Sequence, residues 1–276
     1  MTAMEELLAV MARLRDPEQG CAWDRAQGFR SLVPHTLEEA YEVADAIERD
    51  DRPAMRDELG DLLFQVVFYA EIAREAGSFD FDSIAQGVTD KLIRRHPHVF
   101  GDHPPLSAES QRETWEAIKA EERAERASDD TAPSALDDVP LALPALTRSR
   151  KLQSRAARVG FDWPEPHQVI DKVREELGEL EEALSDVPRD QAHIHEELGD
   201  LLLACVNLSR RIGVDADQAL RDGNAKFERR FRGLEAILAD AGEHPQAAAF
   251  DRLEAAYQQA KERDQEQLRL NIEPNQ

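Results

Sequence analysis

Apolar residues along this chain recur three and four positions apart. In the stretch ELGDLLFQVVF, Leu59, Leu62, Leu63 and Val66 run on into Ala70 and Ala73 at the spacing of one helical face. Period-two alternation bounded by turn residues is hard to find anywhere, so the pattern predicts an all-α protein. Leu198, Leu201, Leu202, Cys205 and Leu208 repeat the face in ELGDLLLACVN. The same helix opening is therefore written twice, and Leu59, Leu62, Leu63 and their counterparts are expected in the core, with Cys205 a small buried hydrophobe.

The repetition extends past that helix. Glu38, Glu39 and Glu42 form an EExxE upstream of the first copy, and Glu175, Glu176 and Glu179 form one upstream of the second. Glu58 with Asp61, and Glu197 with Asp200, supply an ExxD in each half. Lys91, Arg94 and Arg95 then answer Lys226, Arg229 and Arg230 as KxxRR. Three motifs in the same order imply an internal duplication of one helical-bundle unit. The expected organisation is an N-terminal helical domain over 1–126, a linker over 127–136 where charge gives way to Ser, Asp, Thr and Pro, and a C-terminal domain over 137–276. The polar end QEQLRLNIEPNQ is expected to fray.

These spacings carry chemistry. Residues three or four apart share a helix face, so Glu176 with Glu179 and Glu197 with Asp200 make two carboxylate pairs that antiparallel helices would bring together. Such a cluster repels itself unless a hard divalent cation such as Mg²⁺ neutralises it. Glu175 beside the pair could bind, orient, or accept a proton from an attacking water. Lys226, Arg229 and Arg230 supply the groups that grip phosphate oxygens. Acids for a metal and bases for phosphate point to phosphoryl chemistry, and with neither a GxxxxGK[ST] loop nor a GxGxxG present, any nucleotide must be held by helices and metal.

Composition narrows the partners. With 57 acidic against 34 basic residues the formal net charge is −23, which disfavours nucleic acid and anionic membrane surfaces. No stretch approaches the roughly 18 apolar residues of a spanning helix, and the N-terminus lacks an export pattern, so a cytoplasmic location is expected. Cys21 and Cys205 suggest neither a disulfide nor a zinc site. His96 and His98 read as part of a turn at Pro97, His193 and His195 as surface residues just ahead of the second ExxD helix, and Trp23 and Trp163 as loop residues without an assigned role.

The blocks LRDPEQGCAWD, HTLEEAYEVADAI, ELGDLLFQVVFYAE, RRHPHVF, SALDDVP, VGFDW and NAKFERRF together resemble the MazG family of nucleoside triphosphate pyrophosphohydrolases, over nearly the whole chain. That resemblance implies tandem MazG domains in a homodimer that converts NTPs, and dNTPs with them, to NMP and pyrophosphate with Mg²⁺, or Mn²⁺ in its place, by water attack at the α-phosphorus. It implies Glu176, Glu179, Glu197 and Asp200 as metal ligands, and Glu175 and Glu176 as the catalytic residues. Lys172, Lys226, Arg229 and Arg230 are the implied triphosphate contacts. Tyr257 and Lys261 fall where the family carries a Trp and a Lys for the nucleotide. A regulatory protein partner such as a GTPase is a further expectation of the family.

The second copy is the stronger site by sequence. Thr36 and Glu39 fit a TxxE capping box at a helix start, which would explain Glu39 without chemistry. Glu175 and Glu176 lie well inside a helix expected to begin near Pro164 to Pro166. Glu38, Glu39, Glu42, Glu58, Asp61, Lys91, Arg94 and Arg95 stay as a second site. Two other readings compete: an acidic helical dimer acting as a regulatory interaction platform, and a di-iron carboxylate bundle, whose Glu-x-x-His motifs are missing here.

Overall fold

The computed structural model describes residues 1–101 and 134–272, together with 107, 110, 111, 114, 115 and 118. It is all-α, with no strand among the described residues. The chain separates into two compact units, 1–126 and 127–276. Residues 127–133 of the expected linker and 273–276 of the expected frayed end lie outside the described residues.

The first unit contains α1 (Ala3–Leu14), α2 (Ala22–Ala26), α3 (Phe29–Glu48), α4 (Arg52–Glu75), α5 (Phe81–Arg95) and the single turn α6 (Pro97–Phe100). Thr2 opens α1 with a reciprocal cap: Glu5 N–H donates to Thr2 Oγ1 at 3.3 Å, and the Glu5 carboxylate accepts Thr2 N–H at 2.7 Å. A three-residue connection returns the chain from α3 to α4 as an antiparallel hairpin, with Asp50 at φ 50° and Asp51 accepting Ala54 N–H at the start of α4. Met11, Leu32, Val67, Phe68 and Ile72 form the core where α1 closes over that hairpin. Arg15 locks the closure: its fork meets the Glu75 carboxylate at 2.8 and 2.7 Å, while the guanidinium sits 5.5 Å from the centre of the Phe68 ring. The LRDPEQGCAWD block is thereby largely architectural, since Trp23 lies edge-on to His35 and Phe68.

The second unit contains α7 (Ala145–Arg158), α8 (Pro166–Ser185), α9 (Gln191–Arg211), α10 (Ala216–Asp240), a 3-10 turn (Pro245–Ala247) and α11 (Phe250–Ile272). Here α8 and α9 form the hairpin equivalent to α3 and α4, while α10 pairs with α11 through Leu234, Ile237, Leu238, Ala256 and Ala260. A Cβ on Gly233 would stand 3.0 Å from that of Ala260, so the glycine permits the two helices to approach closely. Asp162 of the VGFDW block receives Arg210 at 3.0 Å and Arg211 at 3.4 Å, tying the entry to α8 onto the far end of α9.

Five sequence expectations change. Trp23 lies inside α2 and not in a loop. Thr36 does not cap a helix: α3 already begins at Phe29, with Gly28 N–H donating to Ser31 Oγ, and runs through Pro34. Thr36 instead donates back to Leu32 O and meets the Tyr69 hydroxyl at 2.9 Å, so capping no longer accounts for Glu39. The repeated leucines are not a closed core either. Leu59 and Leu63 are exposed, as are Leu198 and Leu202 at 44% and 51%, because a hairpin with few neighbours covers only one side of each helix. Cys205 is exposed for the same reason. Finally, His193 and His195 do not precede the ExxD helix but lie in its first turns, since Asp190 caps α9 by accepting Ala192 N–H.

Phe68, fully buried at the centre of the first unit, should be the costliest single truncation there. Phe68→Ala is expected to destabilise it by about 3–5 kcal/mol, read from the urea unfolding midpoint at constant m-value.

Candidate active site

Each hairpin gathers acids between its two helices. In the second unit Glu176 and Glu179 of α8 and Glu197 of α9 each place a carboxylate oxygen within 4.8 Å of the others, with Glu176 buried and Glu197 half-buried. In the first unit the group is Glu39, Glu58 and Asp61. Antiparallel pairing, the condition under which the spacings would make the acids converge, is what brings these residues together. The two copies differ in detail: Asp200, exposed and one turn along α9, stands outside its group, whereas Asp61 is inside its own and Glu42 is not.

Crowding leaves an electrostatic trace. Partial loss of hydration, followed by the charge of Glu176, lifts the Glu179 carboxyl above the ordinary carboxylate range. Glu39 is raised first by burial and then by Asp61 and Glu42, and Glu58 by lost hydration and then by Glu42 and Asp61. These clusters are therefore strained as bare anions. Oxygen donors of one sign converging from two helices make a set suited to a hard divalent cation.

Lys172 supplies positive charge to the second cluster. Its ammonium sits 2.7 Å from Glu175 Oε1 and 2.6 Å from Glu176 Oε1, and those two carboxylates raise its pKa. The first unit has His35 at the matching place, 3.7 Å from Glu38. Glu175 itself is exposed beside Lys172, while His193 Nε2 lies 3.1 Å from Glu197 Oε1, a contact sequence reasoning missed. Its sequence signal is the i, i+4 spacing on α9.

The basic motif occupies α10. Lys226 is exposed, and Arg229 and Arg230 both reach across to Asp264 of α11. Tyr257 packs on Phe227 with ring centres 6.2 Å apart, and Lys261 is one turn further along α11. No hydrogen bond or ion pair joins Lys226, Arg229 or Arg230 to the carboxylates of Glu176, Glu179 or Glu197. In the first unit Lys91, Arg94 and Arg95 lie on the last turns of α5.

A family model described as the MazG nucleotide pyrophosphohydrolase domain matches residues 27–100 and 165–233, one segment in each unit. The chain belongs to the MazG family. The two matched segments contain both carboxylate clusters and both KxxRR motifs. The chain is 50% identical over 264 residues, 96% of its length and 99% of the relative's, to a nucleoside triphosphate pyrophosphohydrolase of Escherichia coli K12. It is 42% identical over 261 residues, 95% and 96% of the two lengths, to the nucleoside triphosphate pyrophosphohydrolase/pyrophosphatase MazG of Thermotoga maritima. A nucleoside triphosphate pyrophosphohydrolase of Mycobacterium tuberculosis is 36% identical over 171 residues, 61% of this chain and 49% of that protein. No helix among the described residues of this MazG-family chain is long and apolar enough to cross a membrane.

The raised Glu179 carboxyl sets a sign. Its folded pKa lies above the unfolded one, so the folded state holds the proton more tightly and gains stability as pH falls through that raised value. In chelator, Glu179→Gln should therefore melt higher than the parent near neutral pH. The difference should shrink as the solution is acidified into the ordinary carboxylate range, which differential scanning calorimetry would follow.

Proposed function

We propose that this chain hydrolyses nucleoside triphosphates, deoxynucleotides included, to the monophosphate and pyrophosphate, with Mg²⁺ held in the second unit by Glu176, Glu179 and Glu197. Asp200 completes that set by turning in from the next turn of α9. The observation that carries this reading is the convergence of those three carboxylates between α8 and α9. Family membership supports the reaction class, nucleoside triphosphate pyrophosphohydrolysis.

Mg²⁺ bound there, or Mn²⁺ in its place, supplies Lewis acidity that activates water and offsets the phosphate charge. The chain's own residues do the rest. Glu175 and Glu176 are the catalytic carboxylates, one of which accepts the proton as water attacks the α-phosphorus. Lys172, held here between Glu175 and Glu176, would contact the triphosphate once a divalent cation neutralised those carboxylates. Lys226, Arg229 and Arg230 bind the β- and γ-phosphates, whose pyrophosphate is the leaving group. Tyr257 offers its ring face to the base, with Lys261 beside it. The three acids of the first unit make a second cation site of the same type.

The protein pairs as a homodimer. Leu198 and Leu202, with Leu59 and Leu63 in the first unit, form apolar strips that their own unit leaves uncovered, and a second copy would bury them. Sedimentation at micromolar concentration should return twice the chain mass, and a one-chain mass would remove the dimer. A regulatory protein partner such as a GTPase remains part of the proposal on family grounds alone.

Pyrophosphate release with Mg²⁺ across a panel of NTPs and dNTPs tests the assignment. Glu176→Ala with Glu179→Ala should abolish at least about 99% of turnover, as expected when charge stabilisation of the transition state is lost. Glu39→Ala with Glu42→Ala should retain most of it. Full activity in the first variant would refute the site, and no release by the parent chain would refute the reaction.

A further inference from the structure

Arg229 and Arg230 are consecutive on α10, and consecutive helical side chains leave the axis about 100° apart. Their own helix therefore does not make them a pair. The pairing comes from Asp264, 35 and 34 residues later on α11. Arg229 Nε donates to Asp264 Oδ1 at 2.6 Å and its terminal nitrogen to Oδ2 at 3.4 Å, while Arg230 Nε donates to Oδ2 at 3.0 Å. The Asp264 side chain is only 9% exposed and Arg230 14%, against 52% for Arg229.

We propose that Asp264 is the positioning residue that draws Arg229 and Arg230 into one two-pronged phosphate clamp. The proposal rests on the phosphate role given to the two arginines above. Each guanidinium spends its Nε edge on Asp264 and has no other hydrogen-bond partner among the described residues. The remaining terminal N–H groups of both are left for phosphate oxygens, and the carboxylate fixes the planes in which those groups point.

Four observations support this role. Asp264 is carried by a rigid element: α11 seats on α10 at the Gly233–Ala260 approach and through the buried Leu234, Leu238 and Ala256. Tyr257, Lys261 and Asp264 also follow one another at intervals of four and three, so the carboxylate shares a helix face with the two residues expected at the nucleotide. The first half of the sequence writes the same intervals at Trp115, Lys119 and Glu122, again with an acid in third place and downstream of a KxxRR. Hydrogen bonding from Arg229 and then Arg230 holds the Asp264 carboxyl below the usual range, so it stays ionised at working pH.

An anion beside a phosphate site also subtracts charge, and the two effects oppose. Arg229 is half exposed, where solvent and salt weaken a charge effect, whereas losing one carboxylate oxygen frees a guanidinium outright. Orientation should dominate.

The test uses the full chain, its fastest nucleoside triphosphate with Mg²⁺, and tripolyphosphate binding by calorimetry as a readout independent of turnover. Asp264→Asn should raise KM and the tripolyphosphate Kd about tenfold while kcat changes less than about threefold, the signature of lost ground-state phosphate binding. Asp264→Glu should recover most of that loss. An unchanged or tighter Kd in Asp264→Asn overturns the proposal. So does an equal fall in kcat and melting temperature in both variants, which would make Asp264 only a tie between helices. Arg229→Ala with Arg230→Ala separates the layers: if it weakens tripolyphosphate and Asp264→Asn does not, the clamp alone fails. If it leaves tripolyphosphate binding intact, the phosphate role of the arginines fails and takes the clamp with it.

Discussion

The interaction on which the site depends is the repulsion between carboxylates that helix packing forces together. Burial of Val169, Ala183, Ala204 and Val206 belongs to the α8–α9 hairpin, and antiparallel pairing of those helices then brings Glu176 and Glu197 face to face. Apolar packing stabilises the hairpin while the acids oppose it, a balance that positive charge relieves. Lys172 provides some of that charge from within the same helix, one turn before Glu176. A site built this way keeps its acids close together although they repel one another.

The first unit gathers three acids between the helices of its hairpin in a different combination and with weaker internal compensation. Its acids Glu39, Glu58 and Asp61 converge between α3 and α4, yet the residue in the place of Lys172 is His35. A flexible ammonium that reaches two carboxylates and a ring that reaches one are different partners, so the two copies differ in how their acids are compensated. Duplication preserved the acid scaffold and let the neighbouring cation diverge.

Much of the fold was legible in the chain. Helical periodicity and the ordered EExxE, ExxD and KxxRR motifs depend on spacing along one helix, which the sequence displays directly. The errors share one cause. Thr36 mimics a cap by its local pattern, but α3 had begun seven residues earlier and its hydroxyl was needed by Leu32 O and Tyr69. Leu59 and Leu198 have the periodicity of core residues, but periodicity tells which face is apolar and not whether anything covers it.

What the sequence by itself determined is the all-α class, the duplication and the acids and bases that share each face, because these follow from intervals of three and four along a regular helix. Tertiary structure alone decided three things: that Glu176, Glu179 and Glu197 form the tight group while Asp200 stands aside, that Lys172 is engaged with Glu175 and Glu176, and that Asp264 gathers two arginines some 34 residues away. Each is a contact whose existence turns on how closely two helices approach and on their rotation about their axes. Those quantities are set by packing between side chains distant in the chain, at Gly233 against Ala260 for instance, and no local pattern encodes them.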